Sequence, residues 1–331
     1  MQKNIYTDLA VELHELISKE NYKQTKEEYE INGVALSVSS PHENIKVTTV
    51  NVLTENGVKE IGKPIGDYIT IESKSLREND IETHEKIIEV MARELNNIYN
   101  LNEDSQVLIV GLGNWNVTPD ALGPKVIDKI LVTRHIPDEF LPKELPTLRP
   151  ISAVSPGVMG ITGIETAEIV KGTVDRIKPS LIIAIDALAS RNINRINTTI
   201  QISNTGVSPG GGMGNKRMQI NEETMGVPVI AVGVPTVVDA ATLINDTLDV
   251  IIEDMANYVE SGSDFYKILH ELGKDNRYPI IKDVLEPYQG NMFVTPKEVD
   301  AVIERLSNII ANGLNISLHK DITLDDINKY I

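Results

Sequence analysis

The feature that most constrains the fold is a run of four apolar residues at 107–110, followed at once by a glycine-rich turn. A run this short and this apolar is typical of a strand that is buried on both faces, as in a parallel sheet. The polar loop after it contains Asp120, and a helical pattern begins at Gly123-Pro124. Because the loops after the carboxyl ends of strands build the functional site in open α/β sheets, we expect Asp120 to lie in such a site.

A second apolar run at 181–185 predicts another buried strand, and this run ends in Asp186. If the two strands are neighbours, the carboxylates of Asp120 and Asp186 lie at one edge of the sheet. Two carboxylates held close together cannot both ionise easily, so one pKa rises and the pair can share a proton. One member can then activate water as a base while the other acts as an acid toward a carbonyl, which is the chemistry of peptide hydrolysis.

Two other interpretations of Asp120 and Asp186 remain open. Each aspartate could simply cap the helix that follows it. Alternatively, the two acids could bind a hard metal ion together with a third residue such as Asp239. Neither aspartate lies in the Asp-Thr/Ser-Gly setting of the pepsin-like enzymes, so the sequence does not indicate that family.

The order of apolar segments predicts a three-layer α/β/α sandwich with a mostly parallel central sheet, between about 105 and 258. We expect residues 9–331 to form a single domain around it. The remaining strands are predicted near 151–154, 198–203 and 229–232, and the helices near 165–177 and 239–258.

The N-terminal part is predicted to be a β-rich extension of this sandwich. Its strands are expected at 34–38, 46–52 and 67–71. Asn56-Gly57 is a hairpin turn signal, and an amphipathic helix is expected over 80–100. A first helix is expected near the N-terminus, with Thr7 or Asp8 as its cap.

The C-terminal part, about 259–331, is predicted to be a mostly helical extension. Thr295 is expected to open a capping box, with proline at the first helical position, before the helix that includes Val299.

Composition excludes several classes of function. The formal net charge of −17 at pH 7 argues against direct binding to nucleic acid, which requires a basic surface. The chain has no cysteine, which excludes disulfides, zinc–thiolate sites and thiol nucleophiles. No apolar run is long enough for a membrane span, and the first residues lack the core of a signal peptide.

The glycine-rich segments match no nucleotide-binding motif. Gly111 and Gly113 could begin a dinucleotide fingerprint, but its third glycine would fall at Asn116. The loop at 209–217 lacks the Gly-Lys-Ser/Thr of a P-loop, and no histidine pair has the spacing of a zinc site, so we predict no cofactor. The candidates for binding substrate or stabilising an oxyanion are Asn114, Asn116, Gly211 and Gly212.

Five segments together resemble the germination protease family of spore-forming bacteria. In chain order they are TDLAVE at 7–12, GLGNWNVTPDALGP at 111–124, IDALAS at 185–190, PGGGMGNKR at 209–217 and MFVTPKEVD at 292–300. The resemblance implies an endopeptidase that degrades small acid-soluble spore proteins, which coat DNA in dormant spores. It also implies an inactive precursor, a homotetramer, and a location in the cytoplasm of the developing forespore and the spore core.

The resemblance also implies which residues carry the chemistry. The two essential aspartates of the family match Asp120 and Asp186, and the family has been described as an atypical aspartic protease. Its fold is similar to that of the hydrogenase maturation proteases, in which acids at equivalent places contact nickel. A metal-dependent peptidase that uses the same acids and a non-catalytic nickel-binding relative therefore remain as alternatives.

The resemblance further implies that the precursor removes its own N-terminal segment. Family substrates carry Thr or Ser, Glu, then Phe or Ile, Ala, any residue and Glu, and are cut after the first Glu. Residues 7–12 have the same form. We therefore predict self-cleavage between Asp8 and Leu9, with residues 1–8 as the propeptide.

Overall fold

One mixed β-sheet organises the molecule in this computed structural model. The structure describes residues 7–25, 30–102, 104–136, 148–209, 218–258, 263, 277–285, 292–319 and 322–330. Nine strands within these ranges form a single sheet. They are β1 Val34–His42, β2 Ile45–Val52, β3 Gly66–Glu72, β4 Val107–Gly111, β5 Ile151–Val154, β6 Leu181–Ser190, β7 Thr199–Ser203, β8 Val229–Asp239 and β9 Phe293–Val294.

The sheet has a parallel half and an antiparallel half. Its strand order is β1-β2-β3-β7-β8-β6-β4-β5, and β9 pairs with β8. Only the pairings that join β5, β4, β6 and β8 are parallel. The pairings among the strands of residues 105–258 are mostly parallel, as predicted, but the sheet as a whole is mixed. The cause is that β3 hydrogen-bonds to β7, so the strands of the N-terminal part continue the central sheet.

The helices follow the amphipathic segments of the sequence. In chain order they are α1 Ala10–Thr25, α2 Glu55–Ile61, α3 Ile81–Ile98, α4 Leu122–Ile127, α5 Met159–Thr162, α6 Thr166–Ile177, α7 Glu222–Met225, α8 Ala240–Asn257, α9 Arg277–Leu285, α10 Val299–Leu318 and α11 Leu324–Tyr330. Among these described helices, none is both long enough and apolar enough to cross a membrane.

Strands β4 and β6 are apolar on both faces, and different helices cover the two faces. Ile109 and Ile183 lie in a core that includes residues of α3, α4 and α10. Leu108 and Ile182 lie in a second core, which includes residues of α6. Each fully buried leucine or isoleucine contributes about 1.5–3 kcal/mol of transfer free energy. The two apolar runs therefore form a firm base for the loops at the ends of these strands.

The predicted hairpin turn at Asn56-Gly57 is wrong. Both residues lie in α2, which separates β2 from β3. Thr54 caps this helix, since its Oγ1 accepts a hydrogen bond from the N–H of Gly57 at 3.4 Å. The threonine cap and Glu55 in the first turn favour a helix start over a turn here.

The predicted capping box at Thr295 is also wrong. Helix α10 begins at Val299 with Glu298 as its N-cap and no side-chain cap bond. The hydroxyl of Thr295 instead donates to the carbonyl of Thr236 at 2.9 Å. This tertiary bond lies beside the pairing of β9 with β8. Strand β9 lies in the C-terminal part of the chain, which was predicted to be mostly helical.

Candidate active site

A tight turn after β4 holds Asp120 in place. The chain leaves β4 at Gly111 and reaches Asp120 through a short 3-10 helix, Thr118–Asp120. Gly113 has a φ of +115°, and a Cβ there would lie 2.0 Å from the backbone oxygen of Asp120, so only glycine fits. The N–H of Asn114 donates to Oδ2 of Asp120 at 2.8 Å. The turn therefore orients this carboxylate.

Asp186 lies inside β6 rather than at its end. The strand continues to Ser190, so the prediction that it ends at Asp186 is wrong. Oδ1 of Asp186 accepts a hydrogen bond from the N–H of Ala187 at 2.9 Å. Across the sheet Asp186 is in register with Gly233 of β8, which has no side chain to cover the carboxyl group.

Neither aspartate caps a helix. Helix α4 has Ala121 as its N-cap, without a side-chain bond. The carboxylate of Asp120 is turned back to Asn114, and Asp186 lies within a strand. The helix-capping interpretation of Asp120 and Asp186 is therefore wrong.

The two carboxyl groups interact electrostatically. Burial raises the pKa of Asp120 to about 6, although the hydrogen bond from Asn114 opposes this shift. Burial also raises the pKa of Asp186 well above its usual range, and the negative charges of Asp120 and Asp8 raise it further. These shifts favour a state in which one carboxyl group is protonated and its neighbour is ionised. Such a pair can offer a base and an acid at once.

Asp8 brings the N-terminal segment (residues 7–12) to this pair. Its backbone N–H donates to the carbonyl of Ala189 in β6 at 2.9 Å, and its Oδ2 accepts from the N–H of Ala189 at 2.8 Å. The carboxylate therefore does not cap α1. The hydroxyl of Thr7, by contrast, accepts from the N–H of Leu9 at 3.1 Å near the start of that helix.

The carbonyl oxygen of Asp8 is held by two side chains from distant parts of the chain. Nζ of Lys63 donates to it at 3.0 Å, and Nε2 of Gln201 donates at 3.3 Å. Oε1 of the same glutamine accepts from the N–H of Ala10 at 2.9 Å. Leu9 lies between these contacts and is fully buried. The peptide bond from Asp8 to Leu9 is thus fixed on both sides.

Glu12 anchors the other end of the segment. Its carboxylate accepts from the backbone N–H groups of Arg191 at 2.7 Å and Asn192 at 3.0 Å, directly after β6. The hydroxyl of Thr7 also donates to it. Arg195 lies 3.7 Å from the same carboxylate. Both acidic positions of the segment are therefore bound through main-chain donors of β6 and the residues that follow it.

A cavity of about 290 Å³ opens beside the segment. Asp186 of β6, Gly233 of β8 and Gln201 of β7 lie in one row across three neighbouring strands. Residues in such a row point to the same face of a sheet. All three line the cavity, as do Asp8 and Lys63.

Of the four other predicted site residues, the structure places Asn114 in contact with Asp120. Asn114 contacts Asp120 through its backbone, and its Oδ1 accepts from the N–H of Asn116 at 3.0 Å. Asn116 itself is exposed. Gly211 and Gly212 lie outside the described residues. The sequence did not point to Lys63 or Gln201, because nothing in either local pattern marks a site.

The described residues do not complete the predicted metal site. Oδ2 of Asp239 accepts from the N–H and the hydroxyl of Thr242, both at 2.8 Å, at the start of α8. Within the described ranges, no group of three His, Cys, Asp or Glu side chains is arranged to hold a metal ion. Asp239 as the third ligand is therefore not supported.

Comparison with known proteins identifies the family. The family model for germination proteases matches residues 10–263 and 253–331. This chain belongs to the germination protease family. It is 50% identical to the germination protease of Clostridium perfringens over 329 residues, which cover 99% of both chains. It is 50% identical to that of Caldanaerobacter subterraneus over 328 residues, or 99% of this chain and 98% of the relative.

A more distant relative extends the same match. The germination protease of Bacillus subtilis is 44% identical over 361 residues, which cover 98% of this chain and 96% of the relative. The resemblance inferred from the five sequence segments is therefore confirmed, and the chain is a protease of this family.

Proposed function

We propose that this protease is an endopeptidase in which Asp120 and Asp186 share one proton and act together on a water molecule. The observation that carries the proposal is that the turn holding Asp120 packs against β6, the strand that holds Asp186 and binds Asp8. Asp186 lies in β6 and Asp120 in the turn after the neighbouring parallel strand β4, and no thiol is available because the chain lacks cysteine. An acid and a base held together in this way are what hydrolysis of a peptide bond requires.

In the proposed reaction the ionised aspartate takes a proton from water while the water oxygen bonds to the carbonyl carbon. The protonated aspartate acts as the general acid toward the carbonyl group. The C–N bond then breaks, the nitrogen leaves as an amine after gaining a proton, and the new carboxyl group takes the water oxygen. The pair ends with one proton, as it began.

We infer that the chain cuts itself between Asp8 and Leu9 and thereby loses residues 1–8. The support is the position of the N-terminal segment, in which Asp8 is bound to β6 and the carbonyl of the Asp8–Leu9 bond is held by side chains. While this segment occupies the site, no other chain can use the same contacts. We therefore propose that the uncut chain is a zymogen.

We propose small acid-soluble spore proteins as the substrates, degraded during germination. The names of the relatives place their activity in germination. The net charge of −17 suits a substrate that itself binds DNA, and it opposes direct binding of the enzyme to nucleic acid. We further propose a homotetramer located in the cytoplasm of the forespore and spore core, with a sandwich fold similar to that of the hydrogenase maturation proteases.

Cleavage of a small acid-soluble spore protein by chains prepared as residues 9–331 tests the proposal, since the variants then need no self-cleavage. Wild type is compared with Asp120→Asn and Asp186→Asn, each with and without a chelator, and folding is checked by circular dichroism. Asp300→Asn is the matched control, because it removes the same charge at an exposed position on α10. We expect both site variants to lose about 10²–10⁴-fold in rate and the control to match wild type.

Two other results would change the conclusion. Loss of activity with chelator and recovery with added metal would favour the metal-dependent peptidase that uses the same acids. Full cleavage by both folded site variants would place the active site elsewhere, and absence of any cleavage by wild type would favour the non-catalytic nickel-binding relative.

A further inference from the structure

We propose that Lys63 and Gln201 form the site that holds the carbonyl oxygen of the peptide bond being cut. This inference rests on the proposed function, since it takes the Asp8–Leu9 bond as the bond that reacts. It adds two residues to the machinery, one from the loop between α2 and β3 and one from β7. Both would touch the reacting carbonyl group itself.

The contacts to the carbonyl oxygen carry the inference. The carbonyl oxygen of Asp8 accepts hydrogen bonds from Nζ of Lys63 at 3.0 Å and from Nε2 of Gln201 at 3.3 Å. An amine and an amide from separate segments thus converge on one acceptor. Such a pair of donors is what a developing negative charge on that oxygen needs.

Gln201 also fixes the chain beyond the bond. Its Oε1 accepts from the N–H of Ala10 at 2.9 Å, while its Nε2 donates to Asp8. One amide group therefore spans the Asp8–Leu9 bond. A side chain that served only to dock α1 would need the contact to Ala10 but not the contact to the carbonyl oxygen.

The position of Gln201 relative to Asp186 fits the same role. The two residues lie on either side of Gly233 in one row of the sheet. Their Cα atoms are two strand spacings, or roughly 10 Å, apart. The acid and the amide donor therefore lie on either side of Gly233 and line the same cavity.

These two donors stabilise the charge that forms on the carbonyl oxygen during the reaction. When the water oxygen bonds to the carbonyl carbon and the ionised aspartate takes the water proton, negative charge moves to the carbonyl oxygen. Lys63 and Gln201 stabilise that charge without giving up a proton. The other aspartate gives its proton to that oxygen. When the C–N bond breaks, the proton that the first aspartate took from water goes to the nitrogen of Leu9, and the hydroxyl proton of the former carbonyl oxygen returns to the pair.

The variant Gln201→Glu tests the catalytic role of Gln201 separately from its role in docking α1. The change keeps an oxygen that can accept from the N–H of Ala10 and replaces only the donor to the carbonyl oxygen. Lys63→Met removes the second donor, and Lys63→Arg keeps a positive donor at that place. Because Lys63 lies in a loop, its variants give an independent answer if Gln201→Glu proves to be unstable.

The experiment is the first-order rate of self-cleavage of the full chain, followed by mass spectrometry, for wild type and each variant. The processed chains are then assayed for kcat and KM on a peptide that contains Thr-Asp-Leu-Ala-Val-Glu. We expect Gln201→Glu and Lys63→Met to lower the self-cleavage rate and kcat by about 10²-fold, with little change in KM. Lys63→Arg should recover part of the loss.

The pH dependence adds a readout that a purely structural role would not give. A protonated glutamate can donate its O–H, so the rate of Gln201→Glu relative to wild type should rise as pH falls. Two controls test the charge changes alone. Asn96→Asp places a carboxylate at an exposed position of α3, and Lys59→Met removes an exposed lysine of α2. Both should cleave at rates close to wild type.

The inference is overturned if Gln201→Glu and Lys63→Met keep the wild-type kcat, or if they change KM alone. In that case wild type still cuts after Asp8 and the aspartate variants remain inactive, so the proposed function survives. If wild type cuts neither itself nor the peptide at this bond, the proposed function fails first, and this inference fails with it.

Discussion

Asp8 and Ala189 exchange two hydrogen bonds, but one of them uses a side chain instead of the main chain. The N–H of Asp8 donates to the carbonyl of Ala189, whereas the N–H of Ala189 donates to Oδ2 of Asp8. In an ordinary strand pair the second bond would go to a backbone carbonyl. The carbonyl of Asp8 is therefore left for Lys63 and Gln201.

This arrangement predicts that the acid at position 8 affects cleavage directly. In Asp8→Ala the N–H of Ala189 loses its acceptor and competes with Lys63 and Gln201 for the carbonyl oxygen of residue 8. We expect self-cleavage to slow by about tenfold or more, since a charge-assisted hydrogen bond contributes about 1.5–3 kcal/mol. Asp8→Asn keeps an acceptor oxygen and should retain more activity. Mass spectrometry of the N-terminal product gives both rates, and equal rates for Asp8→Ala and wild type would contradict the assignment.

The raised pKa of Asp120 predicts an effect on stability. Its pKa is about 6 in the folded state against a usual value of 3.8, so ionisation is harder in the folded chain. The contribution of this group to stability is therefore full below about pH 3.8 and is lost as the pH rises through about 6. Asp120→Asn cannot ionise and should be more stable than wild type at pH 7.

Thermal unfolding at several pH values checks this prediction. The stability gain of Asp120→Asn should be at most about 3 kcal/mol at pH 7 and should shrink toward zero near pH 4. A variant that is less stable than wild type at pH 7 would show that the Asp120 carboxylate is favoured, not disfavoured, by its surroundings.

Gly233 is predicted to be essential for the packing of Leu188 between Asp186 and Gln201. A Cβ at this position would lie 2.5 Å from Cδ1 and 2.6 Å from Cγ of Leu188, which must move into the cavity. We expect Gly233→Ala to lower the cleavage rate and to cost about 1–3 kcal/mol of stability. Gly172→Ala in α6 is the control, because a Cβ there meets no atom within 4 Å. It should leave cleavage unchanged.

Arg195 is predicted to stabilise the docking of α1. It is buried and donates to Glu15 at 2.7 Å and to Glu72 at 2.8 Å, which links α1 to β3. Arg195→Met removes the hydrogen bonds to these two partly exposed carboxylates and should cost about 1.5–3 kcal/mol in urea unfolding. Arg93→Met removes an exposed pair with Glu94 and should cost less than about 1 kcal/mol. Similar costs for the two variants would contradict this role.

The sequence predicted the parallel half of the fold well, because buried strands leave a strong apolar signal. The runs at 107–110 and 181–185 lie in neighbouring strands, and the aspartates after them interact. The signal was weaker where one residue pattern suits two structures. Asn56-Gly57 is such a case, since it forms the first turn of α2 once Thr54 caps that helix.

The rest of the site could not be predicted from local patterns. Lys63 and Gln201 are far apart in the chain and come together only because β3 pairs with β7. The sequence shows no hydrophobic periodicity or motif that indicates such a pairing. The same applies to Thr295, whose hydroxyl is taken by a bond to Thr236 across the sheet.

The most direct test of the aspartate pair is self-cleavage of the purified full chain at low concentration, where cutting within one molecule dominates. Wild type, Asp120→Asn and Asp186→Asn are compared with and without chelator, and the new N-terminus is sequenced. We predict that wild type yields a chain that begins at Leu9, that both variants stay intact, and that chelator changes nothing. A different N-terminus would contradict the cut site, and a chelator-sensitive rate restored by metal would contradict the shared-proton mechanism.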